Sequence, residues 1–129
     1  MKPRASSDKR PVNLDIGSMR LPITAYVSIS HRLSGVFLFL VSGSLIWALD
    51  LSLSSPEGFA SVAQTLGSLP IKVLTWLVAS ALTYHSVAGI KHLIMDLGVG
   101  ETMAGGVLGA RLVIASAVLA SAGWGIYLW

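Results

Sequence analysis

The sequence predicts an all-α integral membrane protein with three transmembrane helices. Two observations carry this. Apolar residues make up 53% of the 129 residues and charged ones only 12%, about half the share usual for soluble domains. The charges also fall in blocks, leaving three uncharged runs at 33–49, 73–90 and 112–129. At about 1.5 Å per residue each run covers roughly 26 Å, just short of a hydrocarbon core of about 30 Å, and its flanks can extend it. Backbone groups in lipid must pair internally, so apolar runs of this length read as helices.

The length allows one domain. Residues 1–21 read as a basic N-terminal arm, with Lys2, Arg4, Lys9, Arg10 and Arg20 interspersed with Pro3 and Pro11. Residues 22–129 read as the membrane domain, with helices at roughly 23–50, 60–97 and 104–128. Pro22 suits a first helical turn. The first apolar run is too far from the N-terminus and too long for the core of a signal peptide.

Orientation follows from the positive charges. The arm carries five of the nine Lys and Arg residues, whereas 50–71 has none and holds Asp50 and Glu57. Positive loops stay in the cytoplasm, so the N-terminus is expected inside and the C-terminus outside. Trp47, Trp76, Trp124, Tyr127 and Trp129 fall near the expected outer interface, where amphipathic rings settle. Membrane lipid is the expected surrounding, and no nucleic-acid partner is expected.

The third span, "RLVIASAVLASAGWGIYLW", is rich in small residues. Ser116 and Ala120, and Ala117, Ser121 and Gly125, give faces that allow close helix approach. These faces suit packing within the chain and packing on a partner equally well.

The second span carries "YHSVAGIKHLIMDLG" at 84–98. His85 lies six residues before Lys91, about 9 Å deeper along a helix. Ionisable groups at such depth are expensive and usually functional. His85 is therefore a candidate metal or haem ligand, or a proton relay. The alternative is a neutral His bonded to a neighbouring helix. Gly89 shares its face and lets a flat ring or another helix lie close. His92 and Asp96 continue that face to the surface. The chain has no cysteine, which excludes disulfides, thiolate chemistry and cysteine-ligated iron–sulfur clusters within it.

At the mouth of the first span stands "SISHRLSG", residues 28–35. Ser28, His31, Arg32 and Gly35 fall at i, i+3, i+4 and i+7 and share one helical face. They lie at the same end of the bundle as His85. Arg32 offers a planar fork suited to a carboxylate, and His31 can add a second donor. Ser28 offers a hydroxyl that could bond a quinone carbonyl. Taken alone, Arg32 also fits a snorkelling anchor.

Four stretches together resemble one family: "RPVNLDI" at 10–16, "PITAYVSISHRLSG" at 22–35, "LSSPEGF" at 53–59 and "YHSVAGIKHLIMDLG" at 84–98. In order and spacing the chain is similar to the cytochrome b membrane-anchor subunit of succinate dehydrogenase, respiratory complex II. Lys91 stands where the family usually carries Arg, which keeps the charge and loses the bidentate fork.

The resemblance implies that His85 is an axial ligand to haem b, whose other ligand comes from a second membrane-anchor subunit. Ser28 and Arg32 match residues lining the ubiquinone site, and His31 and Arg32 match groups near the haem propionates. It also implies a heteromeric helix bundle in a bacterial inner membrane, partnered by an iron–sulfur subunit and a flavoprotein subunit. Succinate oxidation would then occur elsewhere in the complex, with this chain not catalytic on its own. The competing classes are a cofactor-free structural anchor and a small proton or solute transporter subunit. A transporter predicts polar residues spread through the membrane depth. A plain anchor leaves the two convergent polar clusters without a purpose.

Overall fold

A computed structural model describes residue 15 and residues 18–129 of the chain. The expected basic arm falls largely outside the described residues. Four helices follow: α1 (Ile23–Ser54), α2 (Pro56–Gly67), α3 (Leu69–Asp96) and α4 (Met103–Leu128). Three of them, α1, α3 and α4, are long and apolar enough to cross a membrane. Among the described residues there is no strand.

Pro22 sits at the N-cap of α1 in extended conformation. The helix then runs for 32 residues, about 48 Å. It outreaches the hydrocarbon core and carries Asp50 into its last turns.

The expected second helix, from about 60 to 97, is broken into two. The break is at Ser68, with φ −71° and ψ 141°. Pro70 explains it: its ring has no N–H and would strike the carbonyl four residues back if the helix ran through. Pro70 instead lies in the first turn of α3, where the missing donor costs nothing. The N-terminal piece, α2, has its own cap. The Ser55 hydroxyl accepts from the Gly58 N–H at 3.0 Å, with Pro56 opening the helix and Glu57 in its first turn. Gly58 is buried because α2 folds back on α1: a Cβ there would collide with the Leu51 carbonyl.

α3 ends in a Schellman motif. Gly98 N–H donates to Met95 O at 2.9 Å and Val99 N–H to Ile94 O at 3.2 Å, which satisfies carbonyls left over at the helix end. Gly98 has φ +83°, the left-handed region that glycine enters without strain. Thr102 then caps α4 by accepting from Gly105 N–H at 3.1 Å.

The three spans meet at Val27 of α1, Ala88 of α3 and Ala110 and Val113 of α4, all buried. Gly106 of α4 is buried beside them. Small side chains let the backbones approach closely. Most large apolar side chains point outward instead, among them Phe39, Leu40, Leu119 and Ile126. A helix apolar on every side suits lipid or partner helices.

The small-residue face of α4 is used within the chain. The Ser121 carbonyl accepts the Trp76 indole N–H at 2.8 Å, and the Ser121 and Ser80 hydroxyls lie 2.9 Å apart. A Cβ on Gly125 would stand 3.6 Å from Trp76 Nε1. Trp76 therefore spends its indole N–H on α4. Trp124 likewise donates to Thr83 Oγ1 at 3.1 Å. Trp47, Tyr127 and Trp129 remain exposed. Lys72, the cation at this end, donates to the Leu128 carbonyl at 3.2 Å, where positive charge complements the end of the α4 dipole.

Candidate functional site: a histidine cluster between the first two spans

At the other end of the bundle α1 and α3 are joined by polar contacts. The Tyr84 hydroxyl donates to the Val27 carbonyl at 2.8 Å. Beside it, His85 Nδ1 lies 3.1 Å from the His31 carbonyl oxygen and 3.1 Å from Ser34 Oγ. The Ser34 hydroxyl donates back along its own helix to that same carbonyl at 2.8 Å.

Gly35 makes this geometry possible. A Cβ there would sit 2.9 Å from His85 Cε1, closer than real side chains come. The His85 ring thus rests on the bare backbone of α1, with its Nδ1 edge turned to Ser34. Nε2 takes part in neither hydrogen bond.

The His31 ring stacks on His85, centroids 4.1 Å apart and planes 17° from parallel. It also lies 5.1 Å from the His92 ring, tilted by 34°. Gly89 lies beside it: a Cβ there would stand 3.4 Å from His31 Nε2, at close van der Waals contact. His31 Nε2 is buried with no hydrogen-bond partner, the one such side-chain atom among the described residues. A buried polar nitrogen without a partner is costly, so this atom marks a place suited to a further hydrogen-bonding group.

His92 Nδ1 lies 2.7 Å from the carbonyl of Ala88 on its own helix, and Asp96 is exposed at the end of α3. His31 stacks on His85 and lies tilted to His92, so the three rings do not converge on one point. Among the described residues no group of three His, Cys, Asp or Glu is placed to hold a bare metal ion.

The predicted face of α1 is split by the packing. His31 and Gly35 turn to α3. Arg32 is exposed and Ser28 half-buried, and neither takes part in the contacts with His85. Ser34, within the same "SISHRLSG" stretch, was not singled out in the sequence. Its signal is the position three residues after His31, where a serine in a helix can bond the earlier carbonyl.

Fold and site define a class: a polytopic all-α membrane protein whose first two spans enclose a histidine cluster at one end. The particular family follows from sequence comparison. The chain belongs to the succinate dehydrogenase/fumarate reductase transmembrane subunit family, which matches residues 6–123. It is 38% identical over 122 residues to the succinate dehydrogenase cytochrome b556 subunit of Coxiella burnetii, covering 94% of this chain and 98% of that one. The Paracoccus denitrificans cytochrome b556 subunit is 34% identical over 95 residues, 70% of each chain. The mitochondrial cytochrome b560 subunit of Mus musculus is 30% identical over 123 residues, covering 92% of this chain and 71% of that one.

Proposed function

We propose that this chain is the cytochrome b membrane anchor of a bacterial succinate dehydrogenase. It holds haem b jointly with a second anchor subunit and forms part of the ubiquinone-reduction site. The carrying observation is His85: Nδ1 is occupied by α1, and Nε2 is left for another ligand. His31 stacks on the His85 ring and does not face it across a gap, so a bis-His site takes its second imidazole from another chain.

The residues present fit the group. His31 Nε2, buried and unpartnered beside Gly89, suits an acid oxygen. Arg32 supplies the fork for a propionate and, with Ser28, polar contacts for a quinone carbonyl. When bound, haem b supplies a one-electron carrier. The chain's own part is to present Nε2 of His85, to hold propionates with His31 and Arg32, and to orient the quinone with Ser28 and Arg32. Electrons reach this site from succinate oxidation in a flavoprotein subunit by way of an iron–sulfur subunit. The chain lies in the inner membrane with residues 1–21 as a cytoplasmic arm, residues 22–129 as the anchor and Trp129 on the periplasmic side.

The test is a reduced-minus-oxidised visible spectrum of the complex purified through this chain. Sharp b-type bands with about one haem per chain are expected. A featureless spectrum from an intact, succinate-oxidising complex would leave a cofactor-free anchor.

A further inference from the structure

We propose that Ser34 is a positioning residue for His85, setting the ring's tautomer and angle so that Nε2 is the nitrogen offered to iron. The inference rests on the reading that His85 binds haem.

Three atoms compete there. The His31 carbonyl oxygen carries lone pairs only, and both Ser34 Oγ and His85 Nδ1 approach it, at 2.8 and 3.1 Å. The Ser34 proton is directed at the carbonyl. Its oxygen therefore presents a lone pair to Nδ1, 3.1 Å away. With two acceptors facing it, Nδ1 must carry the ring proton. The opposite tautomer would set three lone pairs against one another with a single proton among them. A neutral imidazole with its proton on Nδ1 has its lone pair on Nε2.

Two acceptors also hold the ring more firmly than one. The carbonyl alone gives the imidazole a single hydrogen bond. Ser34 adds a second point, and Gly35 supplies the flat seat, since a Cβ there would come within 2.9 Å of Cε1. Partners of this kind on a ligating imidazole orient it and raise its basicity. A more basic ligand stabilises the ferric state and lowers the reduction potential.

The experiment uses the holo-complex carrying Ser34→Ala, Ser34→Cys or Ser34→Thr. Haem content, haem midpoint potential and the low-spin ferric EPR signal are measured on each. Ser34→Ala is expected to raise the potential and to shift or broaden the EPR signal. Ser34→Cys, with a weaker acceptor of similar size, should move both in the same direction by less. Ser34→Thr keeps a hydroxyl that can bond the earlier carbonyl and should restore wild-type values.

An unchanged potential and EPR signal in Ser34→Ala would overturn the proposal. If Ser34→Ala does not assemble, the same unchanged values in Ser34→Cys would do so. His85→Ala in the same preparation separates the two levels. Unchanged haem bands there would remove the ligand reading itself. Lost bands there with silent Ser34 variants would remove only the role of Ser34.

Discussion

His31 and His85 stack ring on ring, centroids 4.1 Å apart, although 54 residues separate them. The His31 carbonyl also lies within 3.1 Å of the His85 ring nitrogen. One residue thus meets His85 with its main chain and with its side chain. The contact sets the height of α1 against α3 at the end where the polar residues gather. Four predictions follow from this cluster, from the helix seam at the opposite end and from the charge pattern.

If His85 ligates haem as proposed, His85→Ala should abolish or convert the low-spin b-type spectrum. Haem content per complex and the reduced-minus-oxidised bands measure this. Unchanged bands and haem content would move the ligand elsewhere, and His31, whose ring already lies against His85, is the next candidate.

Ser28→Ala should impair quinone reduction. Losing one hydrogen bond in a partly buried site costs about 1–3 kcal/mol, or roughly 5- to 150-fold in the affected step. Arg32→Leu should cost more, since it removes a charge-assisted donor. Arg32→Lys should rescue in part, because an ammonium does not reproduce the fork. The measurement pairs succinate oxidation with an artificial acceptor against succinate–ubiquinone activity in one preparation. Normal values of both for Ser28→Ala and Arg32→Leu would make the cluster an anchor only.

Trp76→Phe keeps the ring and deletes the indole N–H that Ser121 O accepts at 2.8 Å. Interhelical hydrogen bonds in membranes are worth about 0.6 kcal/mol on average and up to about 1.7 kcal/mol, so a small fall in thermal stability of the purified complex is expected. Gly125→Leu should cost more, because even a Cβ there stands only 3.6 Å from Trp76 Nε1. A melting temperature untouched by Gly125→Leu would show that α4 does not need this close approach.

Single cysteines in the cysteine-free chain test the orientation. Ala5→Cys and Glu101→Cys should be shielded from an impermeant maleimide in cells with a permeabilised outer membrane. Glu57→Cys, exposed at the start of α2, should be labelled. The reverse pattern would invert the assignment of the membrane sides.

The sequence alone determined the three spans, the place of His85 on the second long span and the polar stretch at the mouth of the first. These are local properties. A long uncharged run in lipid reads as a helix, and a histidine six residues before a charge lies about 9 Å from it along that helix. The break at Ser68 is local too, since Pro70 bars a helix from running through it, although the expected helix spanned both sides.

Only the tertiary structure decided which way α1 is turned. Its spacing puts Ser28, His31, Arg32 and Gly35 on one face, yet packing takes His31 and Gly35 to α3, brings in Ser34 and leaves Arg32 exposed. A helix greasy all round has no solvent face to fix its rotation. The angle of α1 about its own axis is set by what it meets: the Tyr84 hydroxyl, the His85 ring and the bare backbone at Gly35 and Gly89 that lets two imidazoles lie between the helices.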